Sequence, residues 1–308
     1  MDFGLALGAG GARGLAHAGL LRGLLRAGVR PRRVAGSSIG ALVGAVFCGG
    51  DLEGFCRWAA DLSRLEALRL ADPVFPRAGL LEGGRLMETL GEFLRVRRLE
   101  DCSPPLAVVA VRARDGEPLV LTHGTLLDAV RASIAVPGVL TPGLWEGQPM
   151  LDGALAEPLP VGPCRRLGGG AVVAVDVSRD LLEPQAERNG DTASPLTGFL
   201  KDNAARLLTA LGPRLGGGQA LAAELLNRWL EEDAGDPLPS IVETIIGALG
   251  IAQRTIKAER LRADPPDHLL APAVGHIRFL DFHRGAEALA AGERAADDLL
   301  RVLPNAAG

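Results

Sequence analysis

The 308-residue chain contains no tyrosine, and aromatic residues make up only 4% of it. Platforms that bind single-stranded nucleic acid need rows of exposed rings, so that class is excluded and no nucleic-acid partner is expected. Lysine is almost missing too: Lys201 and Lys257 are the only two, and arginine carries the rest of the positive charge. The net charge of −4 implies no general polyanion-binding surface. The four cysteines, Cys48, Cys56, Cys102 and Cys164, form no C-x-x-C pair. Zinc frameworks and thioredoxin-like chemistry therefore have no support, and reduced, buried thiols are expected. No uninterrupted apolar run reaches the roughly 18 residues that a membrane-spanning helix needs. Met1-Asp2-Phe3-Gly4 has neither the basic stretch nor the apolar core of a secretory signal. The expected location is cytoplasmic, with peripheral contact at a membrane left open.

What the chain has is glycine in patterned places. Gly36-Ser37-Ser38-Ile39-Gly40 is a G-x-S-x-G pentapeptide between Val34-Ala35 and the small, apolar stretch Ala41 to Val46. A short strand, a tight turn and a helix in that order make a nucleophile elbow, in which Ser38 projects its hydroxyl from a strained backbone. A Cβ at Gly36 or Gly40 is expected to collide with the neighbouring strand or helix. The helix that follows points its positive end at any developing oxyanion. Taken alone, the pentapeptide also fits an ordinary glycine turn.

A second glycine turn, Gly8 to Gly14, follows a strand suggested by Phe3, Leu5 and Leu7. A helix with Leu15, Ala18, Leu21, Leu24 and Leu25 at helical spacing comes next, and Gly28 is a plausible stop. Two nucleotide-binding readings of this turn fail. A dinucleotide fingerprint needs glycine where Arg13 stands, and a P-loop needs Lys and a hydroxyl where Leu15 and Ala16 follow Gly14. What remains is a set of bare backbone N–H groups at a helix start, suited to an oxyanion or simply to close packing. Parallel strands joined by a right-handed helix place both turns at one sheet edge.

The serine needs a base. Late histidines could complete the order Ser, acid, His of an α/β-hydrolase, but that fold lays down several strands before its elbow, and here the serine is already residue 38. Met150-Leu151-Asp152-Gly153-Ala154 offers a carboxylate at a possible strand end, although an Asp-Gly pair is also a common turn.

Together, Gly10-Gly11-Ala12-Arg13-Gly14, Gly36-Ser37-Ser38-Ile39-Gly40 and Asp152-Gly153-Ala154, with Ala132-Ser133-Ile134-Ala135-Val136-Pro137, resemble the patatin-like phospholipase family. The likeness is to its bacterial members and to the catalytic domain of neuropathy target esterase. It covers residues 3 to 178 and, more weakly, 240 to 302. The resemblance implies a catalytic Ser38–Asp152 dyad without histidine. It also implies an oxyanion and substrate-binding loop at Gly10, Gly11, Ala12, Arg13 and Gly14, with the N–H groups of the first three as donors. Arg13 would order the loop or contact substrate. Ala9 departs from the first glycine of the family's loop, and Asp-Gly-Ala stands where Asp-Gly-Gly is also common. The implied fold is a three-layer α/β/α domain with a central, mostly parallel sheet and a helical insertion. The implied activity is hydrolysis of carboxylic esters of lipids, phospholipid or lysophospholipid, through an acyl-enzyme. A general esterase or thioesterase on soluble acyl substrates and a lipid-binding regulatory protein are the alternatives. No metal or cofactor is expected, and the oligomeric state is open.

Further expectations concern the scaffold. Leu52 to Leu70 reads as an amphipathic helix, Leu106–Val111 and Leu119–Leu121 as strands about an Asp115-Gly116 turn, and 125–135 as a helix stopped by Pro137. Ala171–Val177 reads as a buried parallel strand. Residues 179–240 are expected to form a helical insertion or lid within a single domain of residues 1–308. Ile241–Arg260 reads as a helix with Ile245, Ile246, Leu249, Ala252 and Ile256 on one stripe, Ile277–Phe279 as a last strand, and Gly285–Leu300 as a closing helix.

Overall fold

The computed structural model describes residues 2–70, 72, 79–178 and 241–302. β1 (Phe3–Leu7) leads through a 3-10 turn at Gly11–Gly14 into α1 (Leu15–Arg26) and β2 (Arg33–Ser37). Then come α2 (Ile39–Gly49), α3 (Leu52–Asp61), α4 (Arg64–Arg69), β3 (Gly79–Leu81) and α5 (Gly84–Phe93). The hairpin β4 (Leu106–Arg112) and β5 (Pro118–Leu121) is followed by α6 (Leu126–Ser133), β6 (Gly138–Leu140), β7 (Gly143–Trp145) and β8 (Gln148–Asp152). The described chain ends with α7 (Val161–Arg166), β9 (Ala171–Val175), α8 (Ile241–Ala263), β10 (His268–Leu270) and α9 (Gly285–Val302).

The sheet runs β10-β9-β1-β2-β4-β8-β7, with β5 also on β4. From β10 to β4 every pairing is parallel, whereas β5 and β8 are antiparallel to β4. It is an α/β fold with a mixed, mostly parallel sheet flanked by helices.

The period-two alternation of the strands sorts large residues from small. Phe3, Leu5, Leu7, Val34, Leu106, Val108, Val173 and Val175 enter the main core with residues of α1, α2, α3 and α9. The opposite face presents Ala6, Ala35, Ala107, Val172 and Ala174 to Leu159, Val161 and Cys164. Small side chains there let the short α7 lie close to the sheet. Both faces are covered, as parallel strands require. α9 owes its position to small residues: a Cβ on Gly19 of α1 would lie 2.0 Å from the Leu289 carbonyl oxygen, and one on Gly292 would lie 1.9 Å from that of Ala16.

Several expectations need correction. Leu52–Leu70 is two helices, because Ser63 and Glu66 form a capping box that starts α4 afresh: Ser63 N–H and Oγ both donate to Glu66 Oε2. Leu25, at helical spacing on α1, is exposed, and so is Ala252 on the stripe of α8. Ile277–Phe279 is a series of turns; Ile277 N–H bonds locally to the Val274 carbonyl, and the last strand is His268–Leu270. The expected insertion at 179–240 lies outside the described residues.

Candidate active site

The sheet brings the elbow and the aspartate together at one point. Val108 and Val109 of β4 pair with β2 on one edge and β5 on the other, while Ala110 and Val111 pair with β5 and β8. β2 and β8 therefore share an edge of β4, end to end. Ser37 lies opposite Val109 and Asp152 opposite Ala110, the next residue.

The turn after Ser37 is tight. Ser38 has φ 55° and ψ −125°, a conformation that L-residues rarely hold and that packing must enforce. A Cβ at Gly36 would lie 2.4 Å from the Gly40 carbonyl oxygen, and one at Gly40 would lie 2.1 Å from that of Leu7. Both glycines do what the pentapeptide implied: α2 starts directly against β2 and the end of β1. The Ser38 N–H donates to Ser133 Oγ at 2.9 Å, which fixes the strained residue from the end of α6.

Ser38 Oγ donates to Asp152 Oδ2 at 2.6 Å. Both residues are nearly enclosed, at 6% and 2% exposure. Asp152 Oδ1 accepts from the Ala154 N–H at 2.8 Å, and the Asp152 N–H donates to the Ala135 carbonyl at 3.0 Å. Burial pushes the carboxyl from an ordinary 3.8 up to about 7; the Ser38 and Ala154 bonds pull it back only in part. A buried carboxyl tuned in this way is suited to take and return a proton near neutral pH. Neither Ser38 nor Asp152 bonds to a histidine among the described residues.

The glycine turn stands beside this pair, since a Cβ on Gly14 would lie 2.1 Å from Ile39 Cγ2, the first residue of α2. Gly8 N–H donates to the Val175 carbonyl at 3.1 Å and Ala9 N–H to that of Pro158 at 2.9 Å. The N–H groups of Gly10 and Gly11 have no acceptor among the described residues. Ala12 corrects the expectation of three donors: its N–H is spent on the Phe279 carbonyl at 2.9 Å. Arg13 is buried in the turn, as are Gly11, Ala12 and Gly14. His17, fully buried on α1, bonds through Nε2 to the Gly8 carbonyl at 2.8 Å. Burial pulls its imidazole from 6.5 down to about 4, so it donates as the neutral ring.

A family model described as patatin-like phospholipase matches residues 5–165. The chain belongs to the patatin-like phospholipase family. An uncharacterized NTE family protein of Mycobacterium bovis is 29% identical over 97% of this chain and 91% of its own length. Patatin-like phospholipase domain-containing protein 7 of Rattus norvegicus is 31% identical over 62% of this chain and 14% of its own. Among solved structures, VipD from Legionella pneumophila resembles it with a TM-score of 0.42 and 15% identity, over 97% of this chain and 67% of that one.

In this member of the patatin-like family, sequence reasoning missed Ser133 and Ala135, which hold one half of the pair each. The signal was present: both belong to the Ala132–Pro137 segment that carried part of the family likeness. His17 and Phe279 were also missed. Their work is done on backbone carbonyl and N–H groups of the glycine turn, and no side-chain motif announces that.

Proposed function

We propose that the protein is a serine hydrolase that cleaves carboxylic esters of phospholipids or lysophospholipids through a Ser38–Asp152 dyad. Lipid acyl hydrolysis is the activity of its family. The observation that carries the finer reading is the 2.6 Å bond from Ser38 Oγ to a buried carboxylate. Ser38 Oγ attacks the ester carbonyl as its proton passes to Asp152 Oδ2. The N–H groups of Gly10 and Gly11 receive the charge that develops on the carbonyl oxygen; one such donor is worth about 3–4 kcal/mol. The C–O bond then breaks, and the leaving alkoxide takes the proton from Asp152. Water attacks the acyl-enzyme, gives a proton to Asp152, and releases the carboxylic acid as Ser38 recovers its hydrogen. The burial of Arg13 favours a role in ordering the loop over direct contact with substrate.

The test is fluorophosphonate labelling beside ester hydrolysis, on wild type, Ser38→Ala and Asp152→Asn. Labelling and turnover vanish in Ser38→Ala, and turnover is lost in Asp152→Asn. Unlabelled, inactive wild type that still binds lipid would sink the reading. A sharp rise in rate above the substrate's micellar concentration separates a lipid substrate from soluble esters. No helix among the described residues is long and apolar enough to cross a membrane, so the contact with a lipid surface is proposed as peripheral.

A further inference from the structure

One of the two lysines in this arginine-rich chain sits next to the glycine turn. Lys257 of α8 donates through Nζ to Asp176 Oδ2 at 2.6 Å and to Ser178 Oγ at 2.9 Å. The pair is largely buried, with side-chain exposures of 12% and 5%. Asp176 Oδ1 in turn accepts from the N–H and the hydroxyl of Ser178 at 3.0 and 2.8 Å. This closed ring of bonds fixes the turn after β9, and Val177 is at its centre. Val177 Cγ2 lies 2.6 Å from where a Cβ on Gly10 would be, so the valine is in direct contact with the backbone of that glycine.

One helical turn further on, Arg260 pairs with Glu157 at 3.4 Å. Residues three apart share a helix face, so both cations of α8 reach toward the same side. Glu157 precedes Pro158, whose carbonyl accepts the Ala9 N–H, and its own N–H is bonded to the Gly153 carbonyl at 2.9 Å. The two supports of the loop at Ala9 and Gly10 are thus each adjacent to a carboxylate held by α8. An ammonium is a compact charge with three rotatable donors, and it can serve a carboxylate and a hydroxyl in a small buried slot where a planar guanidinium would not fit as readily.

We propose that Lys257 is a positioning residue for the oxyanion loop. With Arg260 it clasps α8 to Asp176–Ser178 and Glu157–Pro158, and so sets the N–H groups of Gly10 and Gly11 against the developing oxyanion. The proposal rests on the acyl-hydrolase reading. Donors that stabilise a transition state must be held to within about 0.5 Å. Loosening their support lowers the rate without changing how the ground-state ester binds.

The experiment compares the full-length wild type with Lys257→Met, Asp176→Asn and Arg260→Met. It measures kcat and KM on a short soluble ester, thermal unfolding, and affinity for a trifluoromethyl ketone analogue whose adduct with Ser38 carries an oxyanion. The expected result for Lys257→Met and Asp176→Asn is a ten- to hundred-fold fall in kcat with KM within two-fold. Affinity for the ketone falls by a similar factor in protein that is still folded at the assay temperature. The half-exposed Arg260→Met shows the same split at three-fold or more, and it decides the matter if the other two do not fold. A folded variant with kcat and ketone affinity within two-fold of wild type overturns the proposal. Wild type that neither labels nor turns over removes the acyl-hydrolase reading and this inference with it; active wild type with unaffected variants removes this inference alone.

Discussion

Ser37 and Asp152 occupy consecutive positions along one edge of β4, opposite Val109 and Ala110. β2 arrives there parallel to β4, and β8 arrives antiparallel from the other end. Two strands that meet head to head on a shared edge bring Ser38 and Asp152, 114 residues apart, into direct hydrogen bonding. The pair therefore stands on strand ends in the sheet rather than on long loops, which favours precise placement. Four predictions follow from the way these residues are held.

The first concerns rate and pH. In the proposed mechanism Asp152 serves as a base only when ionised, and burial pushes its carboxyl up to about 7. The kcat/KM profile is expected to rise tenfold per pH unit on the acid side and to bend near pH 7. Asp152→Asn should lose about 10²–10⁴-fold at pH 8, the usual contribution of a general base. A profile flat from pH 5 to 8 would remove Asp152 from that role.

The second concerns stability and pH. Asp152 has a folded-state value raised from 3.8 to about 7, so its burial costs nothing below about pH 4 and progressively more up to pH 7. His17 is the opposite case. Its value is depressed from 6.5 to about 4, so the neutral ring costs nothing above pH 6.5 and destabilises the fold as the pH drops toward 4. At about 1.4 kcal/mol per unit, each contributes a few kcal/mol, and the two largely cancel between pH 4 and 6.5. Urea unfolding at pH 4.5 and 7.5 should separate them. Relative to wild type, Asp152→Asn gains stability at the higher pH, and the deficit of His17→Gln shrinks at the lower one. Parallel shifts at both values would contradict this assignment.

Ser133 supplies the third. Its hydroxyl is the acceptor for the Ser38 N–H, and both groups are buried. Ser133→Ala leaves that N–H without a partner, which costs about 1–3 kcal/mol, and it frees the strained φ of Ser38. The unfolding midpoint should fall and fluorophosphonate labelling should slow at saturating probe. Unchanged labelling in folded protein would limit Ser133 to packing.

The fourth tests the elbow. In Gly40→Ala the new methyl would meet the Leu7 carbonyl oxygen at 2.1 Å, and backbone cannot swing aside as a side chain can. Overpacking of this kind costs about 1–3 kcal/mol. It should also push α2 away from β1, which reduces labelling of Ser38 by more than the loss of stability explains. Wild-type labelling in this variant would mean that the elbow tolerates a wider turn.

Much of the site was legible in the sequence because its needs are local. A nucleophile elbow requires glycine at Gly36 and Gly40, a strand before and small residues after, and all of these lie within one short stretch. The strands β1, β2, β4 and β9 were visible in their alternation or their β-branched runs for the same reason. The split of Leu52–Leu70 was written locally too, in the Ser63–Glu66 cap, but a continuous apolar stripe masked it. Ile277–Phe279 looked like a strand because two apolar residues flank Arg278, yet the Phe279 carbonyl is needed by Ala12 and its neighbours bond within turns. What the sequence determined by itself was the G-x-S-x-G elbow, the glycine turn and the class of fold, since each depends on backbone preferences within a few residues. Tertiary structure alone decided that β8 continues the line of β2 along β4, that burial brings Asp152 to about 7, and that among the described residues Gly10 and Gly11 have no acceptor for their N–H groups while Ala12 does. Those outcomes depend on which carbonyls and side chains a fold brings from distant segments, and no local pattern encodes that.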